Sequence, residues 1–581
     1  MRKNSHWVRF LLLGVILLVF GWVVGCGGEK ATPTPTKPGV VATPTPVKTP
    51  PPAGGVQSAT VTELISAWGS GLFDPARTSD TTLHYTRMLH AYLVESDGTG
   101  GGLLPGIAKS WEMSPDAKAW TFTIRDGVKA HNGEEINVDD VYGNLEDHYG
   151  VAGKVRAAAG TLELSAPTRM AKNTKSVEKV APDKVRITMN AATPGLAWEF
   201  SSSPSSAIGM MLPMDYWNQV GMQGYEAKPV GTGPFKLVSF TPSQEIVFER
   251  FDDYYYQPKN GFPEDRRPKF NRLVQRLVPE AATRAAALQA GQADLIQANL
   301  YMLEDIKKAG GKVVYAQESA YLRYHYTDCW DPKLYCFKKE VRQALEYAID
   351  KETLIKQLYG PGVAVAKGWS HVTPNSLGYL AGVTDPYPYD VTKAKQLLAQ
   401  AGFPDGKGMP VIQIYAWIDE SLPLVPELAQ AIAAGWKKQL GVNAEVVVGD
   451  PVSVRERLAT RQLPGAIEFR SNETRYDGTS ATYSKYVLNP LPAMRVCDAS
   501  GPGGPRCLEI EKLVKEKMSV PGDLATRNKN FQEVYTVLRD ESHMGGILYA
   551  NSPWGLGARV KDYKPWTMAS YTTAIWTLEL K

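Results

Sequence analysis

The sequence predicts an α/β protein of mixed sheets with flanking helices, spread over two or three domains. Three observations predict it. Strand-like and helix-like periodicities alternate along the chain. A complete strand–helix–strand unit lies between Val411 and Val448, and such a unit sets two parallel strands beneath a covering helix. About 520 residues remain once a proline-rich N-terminal region is set aside, more than one hydrophobic core sustains.

At the N-terminus, Arg2, Lys3 and Arg9 flank the entry to an apolar stretch of 15 residues from Phe10 to Val24. A transmembrane helix needs about 20 such residues, so residues 1–25 read as an export signal. The stretch ends in Val24-Gly25-Cys26, which resembles the bacterial lipobox. That resemblance implies cleavage ahead of Cys26 and diacylation of its sulfur, with an uncleaved signal anchor as the competing reading. From Ala31 to Gln57 eight prolines alternate with threonine and small residues. This composition forms no core and favours polyproline II at about 3.1 Å per residue, so Ala31 to Gln57 could reach on the order of 80 Å, and residues 26–57 are expected to be an extended stalk on a lipid anchor. A solvated, O-glycosylated tail is the alternative.

In the body, Val61 to Trp68 reads as a first strand. A β-rich region follows from Leu103 to about Phe248, with alternation at Trp120, Phe122 and Ile124 and again at Val185, Ile187 and Met189. His131-Asn132-Gly133 carries the Asn-Gly pair of a tight hairpin, so His131 reads as a turn residue and not as a ligand. The second half turns helical: Val341, Ala344, Leu345, Ala348 and Ile349 share one helix face, and Asp350 caps the next turn. Val391 to Ala401 is a helix stopped by Gly402. Val411–Trp417, Pro426–Leu440 and Ala444–Val448 then form the βαβ unit, which predicts a doubly wound second lobe on a parallel sheet.

Lysines and arginines number 64 against 60 acids, and loss of Arg2, Lys3 and Arg9 leaves 61. A near-neutral chain gives no argument for nucleic acid or a polyanionic partner. With Cys26 set aside, four of the five cysteines fall into two close pairs, Cys329 with Cys336 and Cys497 with Cys507. An exported location permits two short-loop disulfides. Zinc is the competing reading, but the gaps within the pairs exceed the two to four residues usual between zinc ligands.

Three stretches carry a family resemblance: Leu103 to Glu146; Pro229 to Leu295, with PVGTGPFKLVSF, ERFDDYYY and PEAATRAAALQAGQADL; and FKKEVRQALEYAIDKETLI from Phe337 followed by YPYDVTKAKQLLAQAGFPDG from Tyr387. In order and spacing they resemble the family 5 bacterial extracellular solute-binding proteins, the peptide and nickel receptors of ABC importers. The resemblance implies a two-lobed periplasmic-binding-protein-like fold with an extra domain in the first lobe. Residues 58–310 would form that lobe, with a β-rich insert at about 85–220. Residues 311–530 would form the second lobe, and 531–581 would return to the first. It implies a monomeric, extracytoplasmic, lipid-anchored receptor that traps a peptide by hinge closure and delivers it to a permease and ATPase complex. No cofactor, metal or catalysis is implied. An oligosaccharide, a metal chelate, or an anchored receptor or hydrolase without transport are the rival readings.

Peptide-binding members pair an aspartate of the second lobe with the peptide's α-ammonium. The matching stretch, Glu468 to Tyr486, makes Asp477 the candidate, beside Tyr476, although Gly478 stands where the family often has proline. A cation in a closed cleft needs a paired carboxylate. Asp477→Ala is therefore expected to weaken peptide binding with little loss of thermal stability. Trp68 and Trp417 at strand ends, and Tyr321 and Arg323 at the entry to the second lobe, are further ligand-binding candidates. No HExxH helix, Gly-x-Ser-x-Gly elbow or phosphate loop occurs. Ser176-Val177-Glu178-Lys179 fits Ser-x-x-Lys without companion motifs, and Gly231-Thr232-Gly233-Pro234 precedes a strand pattern, not a helix.

Overall fold

Among the described residues the strand pattern is realised in one large sheet, one four-stranded sheet and three two-stranded ones. A computed structural model describes residues 59–69, 72–77, 82–150, 170, 173–203, 208–417, 422–486 and 504–581. Cys26, Cys497 and the segments read as export signal and stalk lie outside the described residues.

Strands are numbered along the chain. β1 is Thr60–Ile65, β2 Ala108–Met113, β3 Ala119–Ile124, β4 Thr174–Ala181, β5 Lys184–Met189, β6 Phe235–Thr241 and β7 Glu245–Arg250. β8 is Arg272–Leu277, β9 Leu295–Gln297, β10 Lys312–Tyr326, β11 Ile412–Ala416, β12 Ala444–Val448, β13 Ile467–Glu473 and β14 Met544–Leu556. The large sheet runs β6-β7-β8-β1-β9-β14-β10-β13-β11-β12, and the short strand Ala364–Val365 adds to β14. The small sheet, β2-β3-β5-β4, is antiparallel throughout.

β11 and β12 pair in parallel on either side of the helix Val425–Leu440, as the βαβ pattern requires. The second half is not a parallel doubly wound sheet, however. β13 pairs antiparallel with β10, and β10 antiparallel with β14. The reason is topological: β10 carries the chain out of the first half and β14 carries it back, so the two must run in opposite directions. Their pairing slips register between Ala316 and Ala320, and a register slip bends and twists the ladder.

Three large apolar cores result, with smaller clusters beside them. One gathers Val61, Phe73, Tyr85, Phe248, Trp554, Tyr563 and Leu578. A second, under the small sheet, gathers Trp120, Phe122, Ile187 and Phe200, and draws in Tyr254, Tyr256 and Phe262 from beyond residue 220. A third gathers Leu322, Tyr324, Leu345, Ile414, Trp436 and Phe469. The helix Met214–Ala227 interrupts the region read as β-rich. Residue 531, the expected start of the C-terminal return, falls inside the helix Leu524–Glu541. That helix buries Phe531, Val534, Tyr535 and Leu538 against Trp369, Leu377, Ile510 and Val514, so its apolar face belongs to the second half. The chain regains the first core only along β14.

Local signals are met at single residues. Asp350 Oδ1 accepts from the Thr353 amide at 3.1 Å, and Gly402 holds φ +87° at a helix end. His131 is pinned in its turn, with Nδ1 accepting from the Gly231 amide at 3.1 Å and Nε2 3.0 Å from the Gly233 carbonyl. Burial pushes its imidazole down to about 4. Ser176 to Lys179 lie on the strand β4. Cys329 and Cys336 are disulfide-bonded, with Cα atoms 5.2 Å apart. Cys507, buried on the helix Gly504–Met518, is also disulfide-bonded.

Candidate functional site

β13 ends at Glu473, and the chain crosses Thr474 to Gly478 before the helix Thr479–Tyr486 begins. This crossing is held from below. The Leu377 amide donates to the Tyr476 carbonyl at 2.8 Å, Ser376 Oγ to the Arg475 carbonyl at 2.9 Å, and Thr474 Oγ1 to the Glu318 carbonyl. Asp477 Oδ1 accepts from the Thr479 amide at 2.9 Å and so starts the helix. Its Oδ2 accepts from Arg527 Nη2 at 2.6 Å. The Asp477 and Arg527 side chains are 8% and 4% exposed, so the carboxylate is held away from solvent.

Gly478 is demanded by packing. A Cβ there would stand 2.2 Å from Tyr535 Oη and 2.7 Å from the His371 ring. His371 is itself tied to Tyr535 Oη at 3.3 Å and Thr482 Oγ1 at 3.1 Å, so it yields little room. Gly478→Ala is expected to lower stability by about 1–3 kcal/mol through overpacking, measured by denaturant unfolding. An unchanged midpoint would mean that this corner is loosely packed.

Facing Asp477 across a seam is the short helix Leu196–Glu199, from the part of the chain that carries the small sheet. Gly195 stands so close that a Cβ would lie 2.7 Å from Asp477 Oδ2. The Trp198 ring stacks on Tyr476, with centroids 5.5 Å apart and planes 22° apart. The Arg527 guanidinium lies 5.6 Å from the Trp198 ring and 5.5 Å from the Phe531 ring. Beside this stack is a hollow of about 330 Å³ walled by Leu103, Trp111, Trp120, Trp198, Leu524 and Arg527. The seam is also bridged where Ser570 Oγ donates to Glu473 Oε1 at 2.7 Å and the Met568 amide to the Gln317 carbonyl at 2.7 Å.

The electrostatics match this enclosure. The Tyr476 phenol is pushed up by burial and by the adjacent Asp477 carboxylate, against the pull of Arg527. The Tyr535 phenol behind Gly478 is pushed up chiefly by burial, with Asp477 and Tyr321 adding to it and Thr482 and Arg527 opposing. Tyr321, buried on β10, therefore lies behind the site.

The other candidates are not brought to the seam. Arg323 Nη1 sits 2.9 Å from His325 Nδ1, and His325 Nδ1 sits 2.8 Å from Glu468 Oε2, all within the second half. Burial pushes the Glu468 carboxyl up, but His325, Arg470 and Arg323 together hold it well below the usual carboxylate range. Arg323 is thus part of a buried ionic ladder across β10 and β13. Trp68 is core, edge-on to Phe240 at 6.1 Å. Trp417 packs with Tyr415, Val454, Leu458 and Leu463. Both lie just past strand ends, but those ends are covered by their own halves' helices and loops.

Sequence reasoning missed Arg527 and Trp198. Arg527 had a readable signal: it shares the stripe Arg527, Phe531, Val534, Tyr535 and Leu538, where an arginine interrupts an otherwise apolar helix face. Trp198 had none beyond being aromatic. Among the described residues, no group of three or more His, Cys, Asp or Glu is placed to hold a metal ion. No helix among them is long and apolar enough to cross a membrane.

Comparison with known proteins supplies the rest. The family model "Bacterial extracellular solute-binding proteins, family 5 Middle" matches residues 102–483. Heme-binding protein A of Haemophilus influenzae is 31% identical over 414 residues, spanning 68% of this chain and 71% of that protein. Di/tripeptide-binding protein 3 of Pseudomonas aeruginosa is 30% identical over 519 residues, spanning 85% and 90%. Among solved structures, HbpA2 from Haemophilus parasuis superposes with a TM-score of 0.72 at 22% identity, covering 90% of this chain and all of that one. The two-lobed fold, the matched region and the extent of these likenesses agree, and the chain belongs to family 5 of the bacterial extracellular solute-binding proteins.

Proposed function

We propose that the solute captured by this ABC-importer receptor is a short peptide, held at the seam with its α-ammonium on Asp477. The observation that carries this reading is the buried Asp477–Arg527 couple, directly opposite Gly195 and Trp198 of the other lobe. A carboxylate offers about four acceptor positions, and two are taken, by Arg527 and the Thr479 amide. The remainder suits an ammonium, while Arg527 fixes the carboxylate in place. The extensive likeness to a di/tripeptide-binding protein supports the same class.

Capture would proceed by hinge closure. Among the described residues β10 and β14 carry the large sheet from one half to the other, and their register slips at Ala316 to Ala320 and at Leu322 to Arg323 give places for a bend. Closing removes the ligand from water and creates a surface that a permease distinguishes from the open form. In the same proposal residues 1–25 are an export signal, Cys26 bears the lipid and residues 26–57 are the stalk, so that a monomer works at the outer face of the membrane. It makes and breaks no bonds in its ligand.

Native mass spectrometry of gently purified protein tests the ligand class. Bound masses are expected to resolve into peptides of two to several residues that a dipeptide chase displaces. A heme, nickel-chelate or sugar mass in their place would overturn the peptide assignment and leave the family untouched.

A further inference from the structure

The hollow beside Trp198 is larger and more specifically walled than a peptide backbone requires. Three indoles enclose it, from Trp111 on β2, Trp120 on β3 and Trp198, with Leu103 on the same side and Leu524 and Arg527 from the opposite lobe. The volume of about 330 Å³ is roughly twice the ~150 Å³ of an apolar cavity that holds benzene. Trp120 does not need an occupant to satisfy it, since its Nε1 already donates to the Thr193 carbonyl at 3.0 Å.

A flat apolar group would fill the space between the indoles. Leu524, 54% exposed at the rim, extends the apolar wall toward solvent and gives such a group a way in. The hollow and the Asp477 seam share Trp198 and Arg527, so a side group in the hollow lies beside the seam.

We propose that this hollow is a specificity subsite for a planar, apolar side group of the bound peptide, a phenyl or indole ring, packed among Trp111, Trp120, Trp198 and Leu524. The inference rests on the peptide reading and names the class of peptide. Rings of this kind stack offset or edge-on against indole walls, and such contacts add to the gain from area burial alone.

The experiment measures Ala-Ala and Ala-Trp affinities by titration calorimetry on the full chain, on Trp111→Ala and on Leu524→Asp. The second variant alters an exposed rim residue, so a folding defect in the first does not leave the result empty. In parallel, N-acetyl-tryptophanamide, which has a ring and carbonyls but no charged terminus, is titrated by ligand-observed NMR. Ala-Trp is expected to bind about tenfold tighter than Ala-Ala, with that ratio falling toward one in both variants. The amide probe is expected to bind weakly and to be lost in both. Equal affinities for the two dipeptides, unchanged in the variants, would overturn the subsite and leave the peptide reading standing. Probe binding that depends on Trp111 and Leu524, with no dipeptide binding at all, would uphold the subsite and overturn the peptide reading. Absence of both would overturn both.

Discussion

Replacing Asp477 by Asn is expected to cost the folded protein roughly 3–5 kcal/mol, the penalty for leaving one partner of a buried ion pair uncompensated. Asn keeps the shape and the acceptor that starts the helix Thr479–Tyr486, so the loss isolates the charge facing Arg527, whose side chain is 4% exposed. This departs from the expectation drawn from the family resemblance, that removing Asp477 touches binding but not stability, because Arg527 would be left buried without its partner. Adding Arg527→Met should recover most of the loss, because an apolar residue of similar length can replace a buried ion neutrally. Denaturant unfolding of the two single variants and the double variant gives the coupling directly. A single variant as stable as the parent would show that the pair is not formed in solution, and with it would go the fixed anchor for an ammonium.

A second large effect lies in the first core, remote from the seam. Glu63 on β1 is fully buried. Gln275 Nε2 donates to its Oε2 at 2.8 Å and Thr572 Oγ1 donates to its Oε1. Burial pushes its carboxyl up to about 7 from an ordinary 4.5, and the two hydrogen bonds only partly oppose this. Nearby His84 cannot supply a counter-charge: burial pushes it down to about 3, and its Nδ1 accepts from the Thr572 amide at 3.3 Å.

The sign of the pH dependence follows. Between about 4.5 and 7 the folded chain keeps a proton that the unfolded chain has released, so stability falls as pH rises across that window and levels off above it. The advantage of the protonated carboxyl is fully present below 4.5 and is lost as pH passes 7. Its size is about 3 kcal/mol. Glu63→Gln keeps one acceptor for Gln275 and one donor for Thr572 without the titration. Its stability relative to the parent should therefore rise by about 3 kcal/mol from pH 4.5 to pH 8. Parallel melts across that range check this, and a constant difference would mean that Glu63 ionises normally in the fold.

Much of the architecture was legible because the relevant signals are local. Side-chain periods of 3.6 and 2 marked the helix Val425–Leu440 between β11 and β12, and cap chemistry marked Asp350 and Gly402. Strand direction was not legible. Nothing in the composition of β10 or β13 states that they run antiparallel, since that depends on which half of the molecule the chain has just left. The helix Leu524–Glu541 was assigned across a boundary for a related reason: its apolar stripe shows that it packs but not on which core.

For the site, the sequence by itself determined the residue types, the family and one candidate, Asp477, through an ordered set of motifs. Only the tertiary structure decided that this candidate faces Arg527, 50 residues away in the chain. It also decided that Trp198 walls a hollow while Trp68 and Trp417 are core. The physical reason is that periodicity reports which face of an element avoids water. Which groups meet across a seam depends on how separately folded faces are brought together, and no repeat along the chain encodes that.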